Sequence, residues 1–112
     1  MNTTEDPGEP FGADLSEAAQ ASLIDVRRLP AFEKSQHMLP AAVWRDPARV
    51  DAWAPTLSPG AAIVVYCVYG HEVSRNTALR LRALGLDARF LRGGFDAWQA
   101  AGLPLVDKGV AP

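Results

Sequence analysis

The stretch Ala62-Ile-Val-Val-Tyr-Cys67-Val-Tyr-Gly70-His-Glu-Val-Ser74-Arg75 carries the strongest strand signal in the chain and its single cysteine. Ala62 to Tyr66 is apolar at every position and largely β-branched, so neither face of the strand is built for water. A strand buried on both faces belongs in the middle of a parallel sheet. The chain then passes through Cys67 and a short glycine-containing loop. From near Ser74 the spacing predicts a helix, with Ala78, Leu81 and Leu84 facing inward and Arg75, Arg80 and Arg82 outward, closed by Gly85. In open α/β sheets ligands bind in the crevice at the carboxyl ends of the strands. Cys67 stands at such an end.

Working outward, the same alternation of strand and helix continues on both sides. Residues 14–20 read as a short helix with Asp14 or Ser16 as its cap. Ser22-Leu-Ile-Asp-Val reads as a buried strand, and Pro30 suits the first turn of a short helix through Phe32 and Lys34. Ala41-Ala-Val-Trp44 reads as another short strand after Pro40. Asp46-Pro47 starts a helix whose inward face holds Val50, Trp53 and Ala54 until Pro55 stops it. Ser58-Pro-Gly60 is a turn. Ala88 to Leu91 is a further strand, Gly93-Gly94 a turn, and Phe95 to Ala101 a last short helix closed by Gly102 and Pro104. Strands and helices joined by short links predict an α/β domain around a mostly parallel sheet.

Composition narrows the function. A chain of 112 residues has room for one core, and 48% apolar with 21% charged residues is ordinary for a globular domain. The formal net charge of −2 comes with no dense Lys/Arg cluster, which argues against nucleic-acid binding. The longest apolar run, Ala61 to Tyr69, is too short to span a bilayer, so no membrane role is expected. Residues 1–13 read as a loose, flexible arm, acidic and rich in Pro and Gly, without the basic region and apolar run of a secretory signal. Residues 14–108 form the domain, and residues 109–112 a C-terminal tail. A lone cysteine excludes an internal disulfide and fits a cytoplasmic, reducing setting. One Cys with two distant histidines, His37 and His71, makes a zinc site a poor reading, and no cofactor is expected.

Cys67 is either a small buried hydrophobe or a reactive thiol. The loop favours the second reading. Residues Val68 to Val73 can curl so that successive N–H groups and the following helix N-terminus form a positive cradle, which stabilises thiolate over thiol and holds a sulfane sulfur or an oxyanion. Gly70 suits the unusual dihedrals such a loop needs, and Ser74 can cap the helix.

Several segments, taken in order, resemble the rhodanese homology domain. They are Leu23-Ile-Asp-Val-Arg27, Phe32-Glu-x-Ser35, Leu39-Pro-Ala, Val64-Val-Tyr-Cys67, and Leu91-Arg-Gly-Gly-Phe-Asp-Ala-Trp98 with Ala101-Gly-Leu-Pro104. The resemblance implies a rhodanese-like α/β fold, with a parallel five-stranded sheet flanked by helices. It also implies a sulfurtransferase in which Cys67 accepts sulfane sulfur from a small-molecule donor such as thiosulfate. The persulfide sulfur would then pass to a thiol or cyanide-like acceptor, with a protein acceptor as a further option. On that likeness Val68, Tyr69, Gly70, His71, Glu72, Val73 and Ser74 form the substrate-binding loop.

The loop departs from the common family pattern by one extra residue, and Glu72 stands where a cation would help hold thiosulfate. The longer loop is similar to that of related phosphatases and arsenate reductases. These place an arginine near the loop's end, where this chain has Val73. The remaining alternatives are an enzyme of that kind and a non-enzymatic module that senses or binds an oxyanion. The Gly70-His-Glu-Val-Ser74 run, with Trp44-Arg-Asp-Pro and Asp51-Ala-Trp53, also resembles a rhodanese subgroup associated with chromate-resistance proteins. His71 can tune a leaving group or bind an anion, or it is a solvated loop histidine. Glu72 can orient His71, act as an acid, or sit at the helix entry, where the dipole favours a carboxylate; near a thiolate it opposes ionisation. Asp25 and Arg27 are expected to form an ion pair or loop anchor. Arg75 either reaches the site or is solvated. Tyr69 can line the pocket, and Trp44, Trp53 and Trp98 are expected in packing roles.

Overall fold

The computed structural model describes residues 9–108. Seven strands form in chain order: β1 (Gly12–Ala13), β2 (Ser22–Asp25), β3 (His37–Met38), β4 (Val43–Trp44), β5 (Ala62–Tyr66), β6 (Asp87–Leu91) and β7 (Val106–Asp107). The helices are α1 (Leu15–Ala19), α2 (Leu29–Lys34), α3 (Val50–Trp53), α4 (Glu72–Ala83) and α5 (Gly94–Ala100). Five strands make one sheet in the order β1-β6-β5-β2-β4, and every pairing in it is parallel. β3 and β7 form a separate antiparallel pair. This is the expected rhodanese-type α/β architecture, with β5 at the centre.

The alternation of side chains along β5 splits the core in two. Ile63 and Val65 point to one face, where they join Ile24, Ala88 and Phe90 from neighbouring strands, Val26 just beyond β2, and Val50, Trp53, Ala78 and Leu81 from α3 and α4. Val64 and Tyr66 point to the other, with Leu23, Leu39, Leu91, Ala18 of α1 and Trp98 of α5. Each buried aliphatic side chain contributes about 1.5–3 kcal/mol, so the run Ala62–Tyr66 anchors both halves at once.

Local chemistry accounts for two of the helix starts. Asp14 caps α1 in a reciprocal capping box: its carboxylate accepts from the Glu17 N–H at 2.8 Å, and Glu17 accepts from the Asp14 N–H at 2.9 Å. Asp46 accepts from the Ala48 N–H at 2.9 Å and opens a 3-10 turn that leads into α3.

Four expectations need correction. Residues 9–13, assigned by sequence to the arm, form a 3-10 turn and edge strand β1, because Gly12 and Ala13 find partners in Phe90 and Leu91 of β6. The rest of the arm and the tail 109–112 lie outside the described residues. Helix α4 begins at Glu72, two residues early, so Ser74 is not its cap; the N-cap position is His71, without a side-chain bond. Leu84 is not inward: it is the C-cap of α4 and 44% exposed, and Leu86 packs against the core instead. Arg75 is not on the outer face; it is half-buried and folded against the sheet. No helix among the described residues is long and apolar enough to cross a membrane.

Candidate active site

Cys67 follows β5 directly and is only 6% exposed. Its Sγ lies 3.1 Å from Ser74 Oγ, and Ser74 is fully buried in the first turns of α4. The early start of α4 makes this contact. With the helix beginning at Glu72, Ser74 falls on the face that looks back over the end of β5. A hydroxyl there can donate to a thiolate or to the proximal sulfur of a persulfide.

The loop from Val68 to His71 is held by its carbonyls. Cys67 O accepts from the Phe95 N–H and Val68 O from the Asp96 N–H, both at 2.9 Å. These donors belong to the first turn of α5, whose leading N–H groups have no partner within the helix. Gly70 O accepts from Arg75 Nε at 3.0 Å. In a trans peptide the carbonyl and the next N–H point in opposite directions, and no cis peptide occurs among the described residues. Anchoring these three carbonyls therefore turns the N–H groups of Val68, Tyr69 and His71 the other way.

Two glycines make that anchoring fit. Gly70 has φ +74, and a Cβ there would lie 2.7 Å from Gly93 N and from Leu91 O. Gly94 has φ +60, and its Cβ would lie 2.5 Å from Cys67 O, 2.6 Å from Gly70 N and 2.7 Å from Val68 O. Only glycine allows the Cys67 loop and the loop after β6 to touch backbone to backbone.

Beneath the loop lies a buried polar cluster. Asp25 and Arg27 form a 2.6 Å ion pair at 0% and 2% exposure, and Arg27 also donates to His37 O at 2.9 Å. The Tyr66 hydroxyl donates to Asp25 at 3.0 Å and accepts from the Leu39 N–H at 3.3 Å. Burial, reinforced by the Asp25 charge, pushes the Tyr66 phenol far above its ordinary value and keeps it protonated. The Arg27 guanidinium also lies over the rings of Phe95, Phe32 and Tyr66 at 4.7, 5.5 and 5.8 Å. Asp25 thus closes β2 opposite Tyr66, the last residue of β5, and its partner Arg27 follows two residues later.

The rim is different. Tyr69 is 57% exposed, and its ring lies 6.0 Å from that of exposed His71. Exposed Glu72 pairs with Arg28 at 3.6 Å, joining the segment after β2 to the start of α4. Val68 and Val73 are half-buried, Val73 against the core. Arg75 is engaged elsewhere: beyond its bond to Gly70 O, it pairs with Glu9 at 3.4 Å and lies over the Phe90 ring at 4.8 Å. Sequence reasoning missed Arg28, which follows β2 as the Cys67 loop follows β5. Adjacency of two parallel strands was the signal that could have found it. It also missed the buttress made by Gly93-Gly94, which reads locally as an ordinary turn. No group of three or more potential metal ligands occurs among the described residues.

The fold and this site define a rhodanese-type crevice, with a lone cysteine in a helix-entry loop at the end of the central strand. Residues 12–101 match the rhodanese-like domain, and the chain belongs to that family. Among solved structures, a rhodanese-related protein from Thermoplasma volcanium superposes with TM-score 0.73 at 21% identity, over 85% of this chain and 96% of that one. A thiosulfate sulfurtransferase from Pseudomonas aeruginosa matches with TM-score 0.72 at 24% identity, over 86% of this chain but 19% of its own. A possible tyrosine phosphatase from Rhodopseudomonas palustris, a protein of unknown function, matches with TM-score 0.69 at 24% identity, over 81% of this chain and 74% of that one. At such identities these likenesses speak for the fold alone. No curated protein matches the chain.

Proposed function

We propose that this protein is a sulfurtransferase that carries sulfane sulfur as a persulfide on Cys67. The observation that carries the reading is the pairing of Cys67 Sγ with the buried Ser74 Oγ at 3.1 Å, beside a loop whose Cys67, Val68 and Gly70 carbonyls are each held by a donor outside it. The Cys67 thiolate attacks the outer sulfur of a donor such as thiosulfate. A Cys67 S–S bond forms, the donor's S–S bond breaks, and sulfite leaves with the electron pair. A thiophilic acceptor then takes the terminal sulfur and regenerates the thiolate. The N–H groups of Val68, Tyr69 and His71, facing away from the anchored carbonyls, are the donors available to hold the terminal sulfur or the departing oxyanion.

Phosphate-ester or arsenate chemistry would need a cation inside the loop for a tetrahedral oxyanion. Arg75 is turned onto Gly70 O and Glu9, which supports sulfur transfer instead. The segments similar to chromate-resistance rhodaneses add no substrate to this reading. The acceptor we favour is a small thiol or cyanide, in a reducing compartment such as the cytoplasm.

The test is direct. Incubation with thiosulfate should add one sulfur to the intact protein, and subsequent cyanide should remove it as thiocyanate. Cys67→Ser should do neither. Absence of sulfur uptake from a panel of sulfane donors would refute the assignment, and aryl phosphate hydrolysis lost in Cys67→Ser would replace it.

A further inference from the structure

We propose that Glu72, held in its ion pair with Arg28, selects among sulfur donors by charge, favouring monoanionic donors with an organic body over the dianion thiosulfate. This rests on the sulfurtransferase reading above. Glu72 and Arg28 lie 3.6 Å apart, with side chains 75% and 67% exposed, and they join the connection after β2 to the start of α4. Those two segments follow the adjacent parallel strands β2 and β5, so the pair stands beside the loop that carries Cys67. The other cations nearby are committed: Arg27 to Asp25, Arg75 to Gly70 O and Glu9, and Arg80 to Asp51 at 2.7 Å. Arg28 is thus the cation placed to meet a donor at the mouth, and the carboxylate of Glu72 already holds it.

Glu72 is also the first residue of a twelve-residue helix, so its charge offsets the positive helix end that would otherwise attract an anion. A dianion approaching Cys67 must compete with Glu72 for Arg28 and for the helix end, and it is repelled by Glu72 while doing so. A monoanion meets about half that opposition. The groove beside the pair is lined by Leu29, Val50 and Val73 as well as by Arg28, Asn76 and Thr77. It offers apolar contact to an organic group that thiosulfate lacks.

A thiosulfonate has the required form. Cys67 thiolate attacks its outer sulfur, the S–S bond breaks, and a sulfinate leaves with the electron pair, so the chemistry matches that of thiosulfate with one charge fewer.

The experiment compares kcat/KM for thiosulfate and for benzenethiosulfonate, with cyanide as acceptor, in wild type, Glu72→Gln and Arg28→Gln. Removing one charge at a separation on the order of 7 Å in water changes the ratio of dianion to monoanion rates by about threefold. Glu72→Gln should raise the thiosulfate-to-thiosulfonate ratio by that factor, and Arg28→Gln should lower it. Both shifts should shrink as salt rises from low to about 0.5 M. A merely structural role would depress both donors together and leave the ratio unmoved. Sulfur uptake with an unchanged ratio, or a ratio moving the same way in both variants, overturns the charge selection alone. Absence of uptake from either donor overturns it together with the sulfurtransferase reading.

Discussion

Gly94→Ala tests whether the two loops really hold one another. The added Cβ would stand 2.5 Å from Cys67 O, 2.6 Å from Gly70 N and 2.7 Å from Val68 O. All three are backbone atoms, so no side-chain rotation relieves the contact. To reach ordinary van der Waals distance the loop must shift by roughly 0.7–1 Å, which strains or breaks the bonds from the Phe95 and Asp96 N–H groups to Cys67 O and Val68 O. Left-handed backbone costs about 1–2 kcal/mol for alanine, and two weakened hydrogen bonds add about 1–3 kcal/mol. The expected destabilisation is about 3 kcal/mol, a fall in Tm of more than 10 °C for a domain of this size. Gly85→Ala provides the comparison. Gly85 also has positive φ, at +90, but nothing lies within 4 Å of its Cβ position, so only the backbone term remains. Urea midpoints measure both variants, and the rate of Cys67 alkylation by iodoacetamide reports the loop. A displacement near 1 Å should also slow sulfur loading by about 10²-fold. If Gly94→Ala costs no more than Gly85→Ala and Cys67 reacts at the wild-type rate, the interlocked-loop account is wrong.

Three further outcomes follow from the site. Ser74→Ala removes the hydroxyl 3.1 Å from Cys67 Sγ and should slow sulfur transfer by about tenfold, at a stability cost of about 1 kcal/mol by urea unfolding; an unchanged rate would mean the hydroxyl serves packing alone. Asp25→Asn leaves buried Arg27 without its anion and should cost about 3–5 kcal/mol in the same assay, whereas a loss under 1 kcal/mol would show the pair is not closed to water. The raised phenol value of Tyr66 means the folded state binds its proton more tightly than the unfolded state. Its contribution is complete below the unfolded value of about 10 and declines as pH rises beyond it. Phenolate absorbance from Tyr66 should therefore appear only together with loss of the folded circular-dichroism signal in base; ionisation of both tyrosines with that signal intact would contradict its burial.

Much of this protein can be read from residue order. The apolar run at Ala62–Tyr66 places β5 at the sheet centre, and Asp14, Pro30, Asp46, Gly85 and Gly102 mark helix ends, because strand burial and capping depend on neighbours a few residues away. The same locality makes the strand–Cys67–loop–helix order visible, and with it the candidate nucleophile. The errors have a common origin. Ser74 looks like a cap because serine at a helix start usually is one, but the chain enters α4 at Glu72 and turns that hydroxyl onto sulfur. Arg75 looks solvated by periodicity, yet a carbonyl, a carboxylate and an aromatic ring from three different segments draw it inward.

The sequence by itself therefore determined the central strand, the α/β class, the cysteine and its loop, since each is a matter of local pattern. Tertiary structure alone decided what surrounds the sulfur: Ser74 beside it, Gly93-Gly94 behind its loop, Tyr66 joined to the expected Asp25–Arg27 pair, and Arg28 facing Glu72 at the rim. The physical reason is the parallel sheet. Its crossovers bring the carboxyl ends of β2, β5 and β6 side by side, so residues dozens of positions apart in the chain meet within bonding distance at one edge.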